Sequence, residues 1–365
     1  MNEEETESMA RLRAIGYSPA LAQRVEQCRA NLQVPSEAMR VVTVHRETLV
    51  LHDGQVELTA RLLPRMVREL QSIDSETAVG DWVLASHDNQ GGWWVHARAE
   101  PVSHIARRDA DGRRHALVSN VDSALLLMGL DDDFNPRRLE RFLALVQGSS
   151  VHPVVVLTKA DVAARTPPRL EQCLEALRSR LPASLHVLSI DARDPAAEHA
   201  LSPYLLAGQT LVLLGSSGAG KSTLSNTLLG ATTQDTGPVR ESDARGQHTT
   251  TSRHLLRLPC GACIVDTPGV RTLSPMGDDS ALAASFADVE LLRTSCRFRD
   301  CCHLDEPGCA VRTGVDADRL RNYHKLLREV RRDSLTVLQR REQLAHWKTR
   351  GRAGQARLKA KRGET

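Results

Sequence analysis

The residues from Gly215 to Thr223 are arranged to hold phosphate. Gly215-Ser216-Ser217-Gly218-Ala219-Gly220-Lys221-Ser222 matches G-x-x-x-x-G-K-[ST], and Thr223 follows it. Glycines let the backbone wrap closely around an anion, so that successive N–H groups point at phosphate oxygens. Lys221 can bridge the terminal phosphates, and the Ser222 hydroxyl can ligate Mg²⁺. The loop lies between an apolar strand, Thr210–Leu214, and a helix opening near Lys221, which is the context the motif requires. Alone it specifies a nucleoside triphosphate and leaves the base open.

The base is addressed by Thr158-Lys159-Ala160-Asp161, which follows the apolar strand Val154–Leu157. It is similar to the Asn-Lys-x-Asp loop that selects guanine. A carboxylate at Asp161 can accept from guanine N1–H and the exocyclic amine, and adenine offers no matching pair of donors. The Lys159 stem would lie across the base. Thr158 stands where an Asn is usual, so the amide bridge to the phosphate loop is expected to be lost or weakened. Ser189-Ile190, ending another strand, fits the short loop that backs the base.

Asp266-Thr267-Pro268-Gly269 has the D-x-x-G form of a switch segment: Asp266 would hold Mg²⁺ through water, and the Gly269 N–H would sense a γ-phosphate. Upstream, His248-Thr249-Thr250-Thr251 lies in a polar loop. One of these threonines is expected to be the Mg²⁺-binding switch residue; Thr250 is taken as the ligand, with Thr251 beside it on the nucleotide. Val270 occupies the place where Ras-like proteins carry a water-orienting Gln. Another group must orient water, and His248 is the catalytic candidate. The order of these motifs is permuted: the base loop precedes the phosphate loop, whereas an ordinary GTPase runs the other way. A circular permutation preserves the assembled site.

Cys296, Cys301, His303 and Cys309 form C-x₄-C-x-H-x₅-C. Three thiolates and an imidazole make a closed tetrahedral Zn²⁺ set with no position for substrate, so one structural zinc is expected. Cys302 reads as a spare thiol, with a swap of roles with Cys301 left open. The tight cluster, in a chain whose start is acidic and has no basic-then-apolar leader, fits metal binding in the cytoplasm better than a secreted disulfide scaffold. Cys28, Cys173, Cys260 and Cys263 read as core residues.

Positioning these groups requires a multidomain chain, and 365 residues allow it. Residues 1–37 read as a polar extension with one helix near Pro19–Asn31. Residues 38–110 hold five short alternating stretches with Gly-containing turns, which suggest an all-β OB-like barrel; an SH3-like barrel would have the same texture. Residues 111–276 alternate strand and helix, as a mostly parallel α/β sheet with helices on both faces does. Residues 277–350 read as a zinc-binding α-helical unit ending in a long amphipathic helix, and residues 351–365 as a basic tail. No apolar run approaches the ~20 residues of a membrane span. From Lys325 onward 13 basic residues face four acidic ones, a net +9 in a chain of net +3. Such a tail fits a polyanionic partner.

Together these motifs resemble the RsgA (YjeQ) family of small-subunit-dependent ribosomal GTPases. The carriers are Thr158–Asp161, Gly215–Ser222, Gly246-Gln247-His248-Thr249-Thr250-Thr251, Asp266–Gly269 and Cys296–Cys309. The resemblance implies an OB domain, a circularly permuted GTPase domain and a zinc-binding helical domain. It implies GTP hydrolysis, GTP/GDP with Mg²⁺ at the site, and late maturation of the small ribosomal subunit through contact with its rRNA. A monomer is expected. Two other classes share parts of this set: a small-molecule kinase using the phosphate loop, and a GTP-dependent metal chaperone.

Overall fold

A computed structural model describes residues 3–88, 91–108, 114–230, 253–267, 274–275 and 279–333. The chain opens with helices α1 (Glu3–Arg13) and α2 (Pro19–Ala30). Ser18 caps α2 by accepting from the Leu21 N–H. The extension is more structured than its polar composition suggests. Leu12, Ile15, Tyr17, Leu21 and Val25 are buried in the central core, and Tyr17 packs on Trp82 with ring centroids 4.6 Å apart. A few apolar side chains anchor a segment that is otherwise charged.

Five strands follow: β1 (Glu37–Val44), β2 (Leu49–His52), β3 (Glu57–Leu62), β4 (Trp82–His87) and β5 (Trp93–Arg98), with helix α3 (Pro64–Ser72) between β3 and β4. Their order is β1-β2-β3-β5-β4, and β4 pairs back on β1, closing a barrel. The parallel β3–β5 contact and the helix after β3 complete the OB-like arrangement. Alternation fills the interior with Met39, Val41, Leu49, Leu51, Val83, Ala85 and Val95, and α3 adds Met66 and Leu70. The outward residues Ala38, Val42, Trp82 and Leu84 are also buried, because they meet the central core. There Arg40 is fully buried, donating to the carbonyls of Ile15 and Asn120 and to Thr210 Oγ1. One guanidinium thus ties the N-terminal segment, the barrel and the nucleotide sheet together.

Strand β6 (His104–Arg108) pairs antiparallel with β7 (Arg114–Ser119). His104 on β6 shares a hydrogen bond with Ser119 Oγ at 2.8 Å. Burial, with Arg114 and Arg98 nearby, pushes its pKa from 6.5 to about 4. The unfolded chain therefore takes up a proton that the folded chain refuses. This stabilisation is complete above about pH 6.5 and is lost as pH falls toward about 4. His104→Asn is expected to flatten the acid-side decline in melting temperature over that window. Identical declines in variant and parent would show that His104 is not responsible.

The central sheet is built from β8 (Ser123–Gly129), α4 (Pro136–Gln147), β9 (His152–Thr158), α5 (Ala160–Ala164), α6 (Arg169–Arg178), β10 (His186–Ser189), α7 (Ala196–Leu201), β11 (Thr210–Gly215), α8 (Lys221–Leu229), β12 (His254–Arg257) and β13 (Cys263–Asp266). Its strands run β10-β9-β8-β11-β13-β12, parallel except for β12. Each strand's period of two divides its residues between two cores. Leu126 and Met128 face α4 and α6, while Leu125 and Leu127 face α7 and α8. Strand β12 also pairs with β1 at Thr43↔His254, joining this sheet to the barrel. The short β14 (Ser274–Pro275) pairs with β6.

Helices α9 (Asp279–Ser285), α10 (Ala287–Arg293), α11 (Ala310–Gly314) and α12 (Ala317–Asp333) complete the described chain. Of the apolar stripe expected at Leu320, Tyr323, Leu327 and Val330, three are buried and Leu327 is partly buried, while Leu326, beside it, is fully buried. The unit packs on α4 through a buried charge cluster. Glu140 accepts from Arg319 Nη1 at 2.8 Å and from Asn322 Nδ2 at 2.5 Å, and Arg319 also forks onto Asp288 at 2.7 Å.

Candidate functional site

In a parallel sheet the C-terminal strand ends lie along one edge, where ligands bind in open α/β folds. Here that edge collects the base loop after β9, Ser189 at the end of β10, the phosphate loop after β11, and Asp266 at the end of β13. The registers Gly129↔Thr158, Leu157↔Ser189, Gly215↔Leu127 and Leu213↔Asp266 bring them level.

The phosphate loop has the expected form. Gly218 and Gly220 have φ of +82° and +86°, values that a side chain would strain. Lys221 is buried and folded over the loop, donating to the carbonyls of Gly215 at 3.0 Å and Ser216 at 2.6 Å. Burial pushes its ammonium pKa down, while the carboxylates of Asp266 and Asp133 oppose that shift. Ala219 is buried, and Ser217, Ser222 and Thr223 retain exposure on the open side.

The base loop is joined directly to the phosphate loop. Thr158 is fully buried, and its hydroxyl donates to the Ala219 carbonyl at 2.8 Å. The amide bridge expected to be lost or weakened here is replaced by this hydroxyl bond. The shorter side chain reaches because β9 and the loop approach closely: a Cβ on Gly220 would stand 3.5 Å from Thr158. Lys159 sits at φ +60°, and its Nζ donates to Asp131 Oδ2 at 2.5 Å. Burial raises the Asp131 carboxyl, but the hydrogen bond and charge of Lys159 outweigh it and hold the pKa below the usual carboxylate range. The Ala160 N–H donates to the Ile190 carbonyl at 3.1 Å, which fixes the Ser189-Ile190 loop against the Thr158–Asp161 loop. Asp161 faces the same loop, where Arg193 reaches its Oδ2 at 2.7 Å.

Four residues of this edge escape a motif reading. Asp133 accepts from Ser216 Oγ and from Arg138; Asp131 holds Lys159; Asp191 and Arg193 flank Asp161. The signal for the first pair is the acidic run Asp131-Asp132-Asp133 directly after the apolar strand β8. Thr267, inside the D-x-P-G segment, is fully buried and donates to the Leu213 carbonyl at 2.6 Å, holding β13 against β11. His248, Thr250, Thr251 and Gly269 lie outside the described residues, as does the tail beyond Asp333.

Cys296, Cys301, His303 and Cys309 converge, with their ligand atoms all within 4.8 Å of one another. The Cys296 and Cys309 sulfurs are 3.9 Å apart, and His303 Nδ1 stands 3.6 and 3.4 Å from them. A tetrahedral Zn²⁺ with Zn–S of about 2.3 Å and Zn–N of about 2.0–2.1 Å sets edges of about 3.8 Å and 3.6 Å. The residues fit such an ion. Cys302 points away, exposed, with its sulfur toward the Asp300 carbonyl, so the alternation between Cys301 and Cys302 is resolved for Cys301. The His303 carbonyl accepts from His324 Nε2 of α12 at 3.2 Å, tying the cluster to that helix. Of the other cysteines, Cys173 and Cys263 are buried and Cys28 half-buried. Cys260 is exposed, because it falls in the turn between β12 and β13.

A phosphate loop, the Asp266-Thr267 start of a D-x-P-G motif and a Thr-Lys-x-Asp loop on one edge of this sheet, with the Thr-Lys-x-Asp loop earlier in the chain, define a circularly permuted P-loop GTPase. The chain belongs to the RsgA GTPase family, whose model matches residues 99–275. It is 45% identical over 299 residues to the small ribosomal subunit biogenesis GTPase RsgA of Xanthomonas oryzae pv. oryzae, covering 80% of each chain. Identity to the corresponding protein of Xanthomonas campestris pv. campestris is 44% over the same share. Its fold is similar to the crystal structure of YjeQ from Thermotoga maritima (TM-score 0.58, 22% identity, 81% of this chain and 99% of that one). It is also similar to YloQ, described as a circularly permuted GTPase (TM-score 0.54, 20% identity, 84% and 99%).

Proposed function

We propose that this chain hydrolyses GTP to GDP and phosphate on the small ribosomal subunit, in late maturation of that subunit, and that it contacts its rRNA. The observation that carries the reading is the Thr158–Ala219 hydrogen bond, which locks the guanine-selecting loop to the phosphate loop in a permuted chain. In this reading Asp161 reads guanine, Lys159 lies along the base, and Ser189 backs it. Gly215, Ser216, Ser217, Gly218, Ala219, Gly220, Lys221 and Thr223 hold the phosphates, and Ser222, Thr250 and Asp266 present oxygen donors. A hydroxyl and carboxylate set of this kind suits Mg²⁺, which would neutralise charge developing on the phosphates. Thr251 and Gly269 contact the nucleotide, and His248 orients water.

Val270 cannot orient water, so turnover is slow until docking on the subunit completes the site. The barrel and the basic segment from Lys325 supply phosphate contacts. Trp82 is fully buried, which leaves Trp93 and Trp94, both half-buried, as the barrel's exposed aromatic surface and favours phosphate contact over base stacking. The chain acts as a cytoplasmic monomer in four parts behind the N-terminal extension of residues 1–37: the barrel at 38–110, the permuted GTPase unit at 111–276, the zinc unit at 277–350 and the tail at 351–365. Among the described residues no helix is long and apolar enough to cross a membrane. Purified small subunits are expected to accelerate hydrolysis of GTP and not of ATP. Acceleration no greater than that given by large subunits at matched concentration and salt would overturn the proposal.

A further inference from the structure

The carboxylate assigned above to guanine is already engaged. Arg193 Nη2 donates to Asp161 Oδ2 at 2.7 Å, and Arg165 stands 3.5 Å from the same oxygen. The Arg193 guanidinium is shared between two acids: Nη2 reaches Asp191 Oδ2 at 3.2 Å, and Nε reaches Asp191 Oδ1 at 3.2 Å. The loop beneath is fixed. The Arg193 N–H donates to Asp191 Oδ1 at 3.0 Å, the Ala192 carbonyl accepts from Thr227 Oγ1 of α8 at 2.7 Å, and the Ile190 carbonyl accepts from the Ala160 N–H. The Arg193 side chain itself is 64% exposed, so it can move without disturbing the core.

Guanine needs both oxygens of Asp161, one for N1–H and one for the exocyclic amine. An arginine on Oδ2 must withdraw before the base is fully read. Resting on the guanine-site reading, we infer that Arg193 is an internal competitor for the base: it occupies Asp161 when guanine is absent and withdraws onto Asp191 when guanine binds. Asp191 is suited to receive it. Hydrogen bonds from Arg193 hold the Asp191 carboxyl below the usual range, so the acceptor stays ionised at working pH. The division of one guanidinium between two carboxylates then sets nucleotide affinity and exchange. Its effect on GTP and GDP is equal, because the phosphates lie at the other end of the site.

Removing the competitor tightens binding, and removing its alternative partner loosens it. Exposed, solvent-screened ion pairs are weak, so changes of no more than about fivefold are expected. The full-length protein is titrated with fluorescent GDP at low salt. Arg193→Ala is expected to bind about two- to fivefold more tightly, with Arg193→Gln behaving alike. Asp191→Asn, which keeps the Oδ1 acceptor of the turn, is expected to bind about two- to fivefold more weakly. The double variant should match Arg193→Ala, because Asp191 acts only through the arginine. Unchanged or weaker binding by Arg193→Ala, or an Asp191→Asn effect that persists in the double variant, overturns the inference while the guanine site stands. Absence of GDP binding by the parent protein overturns the guanine-site reading and this inference with it.

Discussion

Lys221→Ala is expected to lower GTP turnover by about 10²–10³-fold, the usual effect of deleting one donor aimed at developing charge. The lysine is held in place before nucleotide arrives. Its ammonium is buried in the curl of the phosphate loop, on the carbonyls of Gly215 and Ser216, with the carboxylates of Asp133 and Asp266 acting on it. It need move little to reach a terminal phosphate, so its reorganisation cost is small. The loop N–H groups and the N-terminus of α8 remain in the variant and continue to hold phosphate. GDP affinity should therefore fall much less than the rate. Single-turnover hydrolysis at saturating GTP, with small subunits present, separates the two; a rate within about threefold of the parent would refute the assignment.

Loss of the zinc proposed for the Cys296, Cys301, His303 and Cys309 cluster is the second large effect. Cys301→Ser, or chelation of the parent protein, is expected to unfold the C-terminal helices while the barrel persists. Apparent binding free energies of structural zinc sites are about 10–16 kcal/mol at neutral pH, comparable to the whole stability of a domain. The ligands here belong to the core of the unit: Cys309 is buried with Phe286, Val289, Val311 and Leu326, and Cys296 and Cys301 pack against that cluster. Three thiolates gathered without a cation would repel one another inside it. Hydrogen exchange should show amides of α10–α12 losing protection while those of β1–β5 keep theirs, together with loss of one equivalent of zinc. Cys302→Ser, altering an exposed thiol turned away from the cluster, should change neither reading. Freshly purified, unchelated protein that lacks zinc yet keeps α10–α12 protected would rule out a structural metal.

Much of the chemistry was legible in the sequence because each motif is local. The phosphate loop needs only eight consecutive residues between a strand and a helix, and the four candidate metal ligands fall within 14 residues. Their backbone geometry is set largely by the glycines and turns among them. The five barrel strands were equally readable, since alternation reports one face of a pleated ribbon directly. The permuted motif order was visible for the same reason: it is a property of the chain, not of its folding.

Contacts between distant residues were decided only by the tertiary structure. Which barrel the strands form depends on β3 lying beside β5 and on β4 closing onto β1, pairings that alternation does not encode. The N-terminal extension reads as polar with one helix, and its apolar anchors Leu12, Ile15, Tyr17, Leu21 and Val25 gain their meaning only from a surface formed far along the chain. The choice of Cys301 over Cys302 rests on a turn in which His303 takes φ +61°, a conformation its residue type does not announce. Thr158 lacks the amide of Asn, and only the fold brings its hydroxyl to a carbonyl 61 residues away. Arg193 belongs to no motif, and only folding sets it against Asp161, 32 residues earlier. Sequence fixes which groups can donate and accept. The order of strands in the sheet decides which of them come within 3 Å, because that order is set by burying both faces of the sheet at once and not by any single segment.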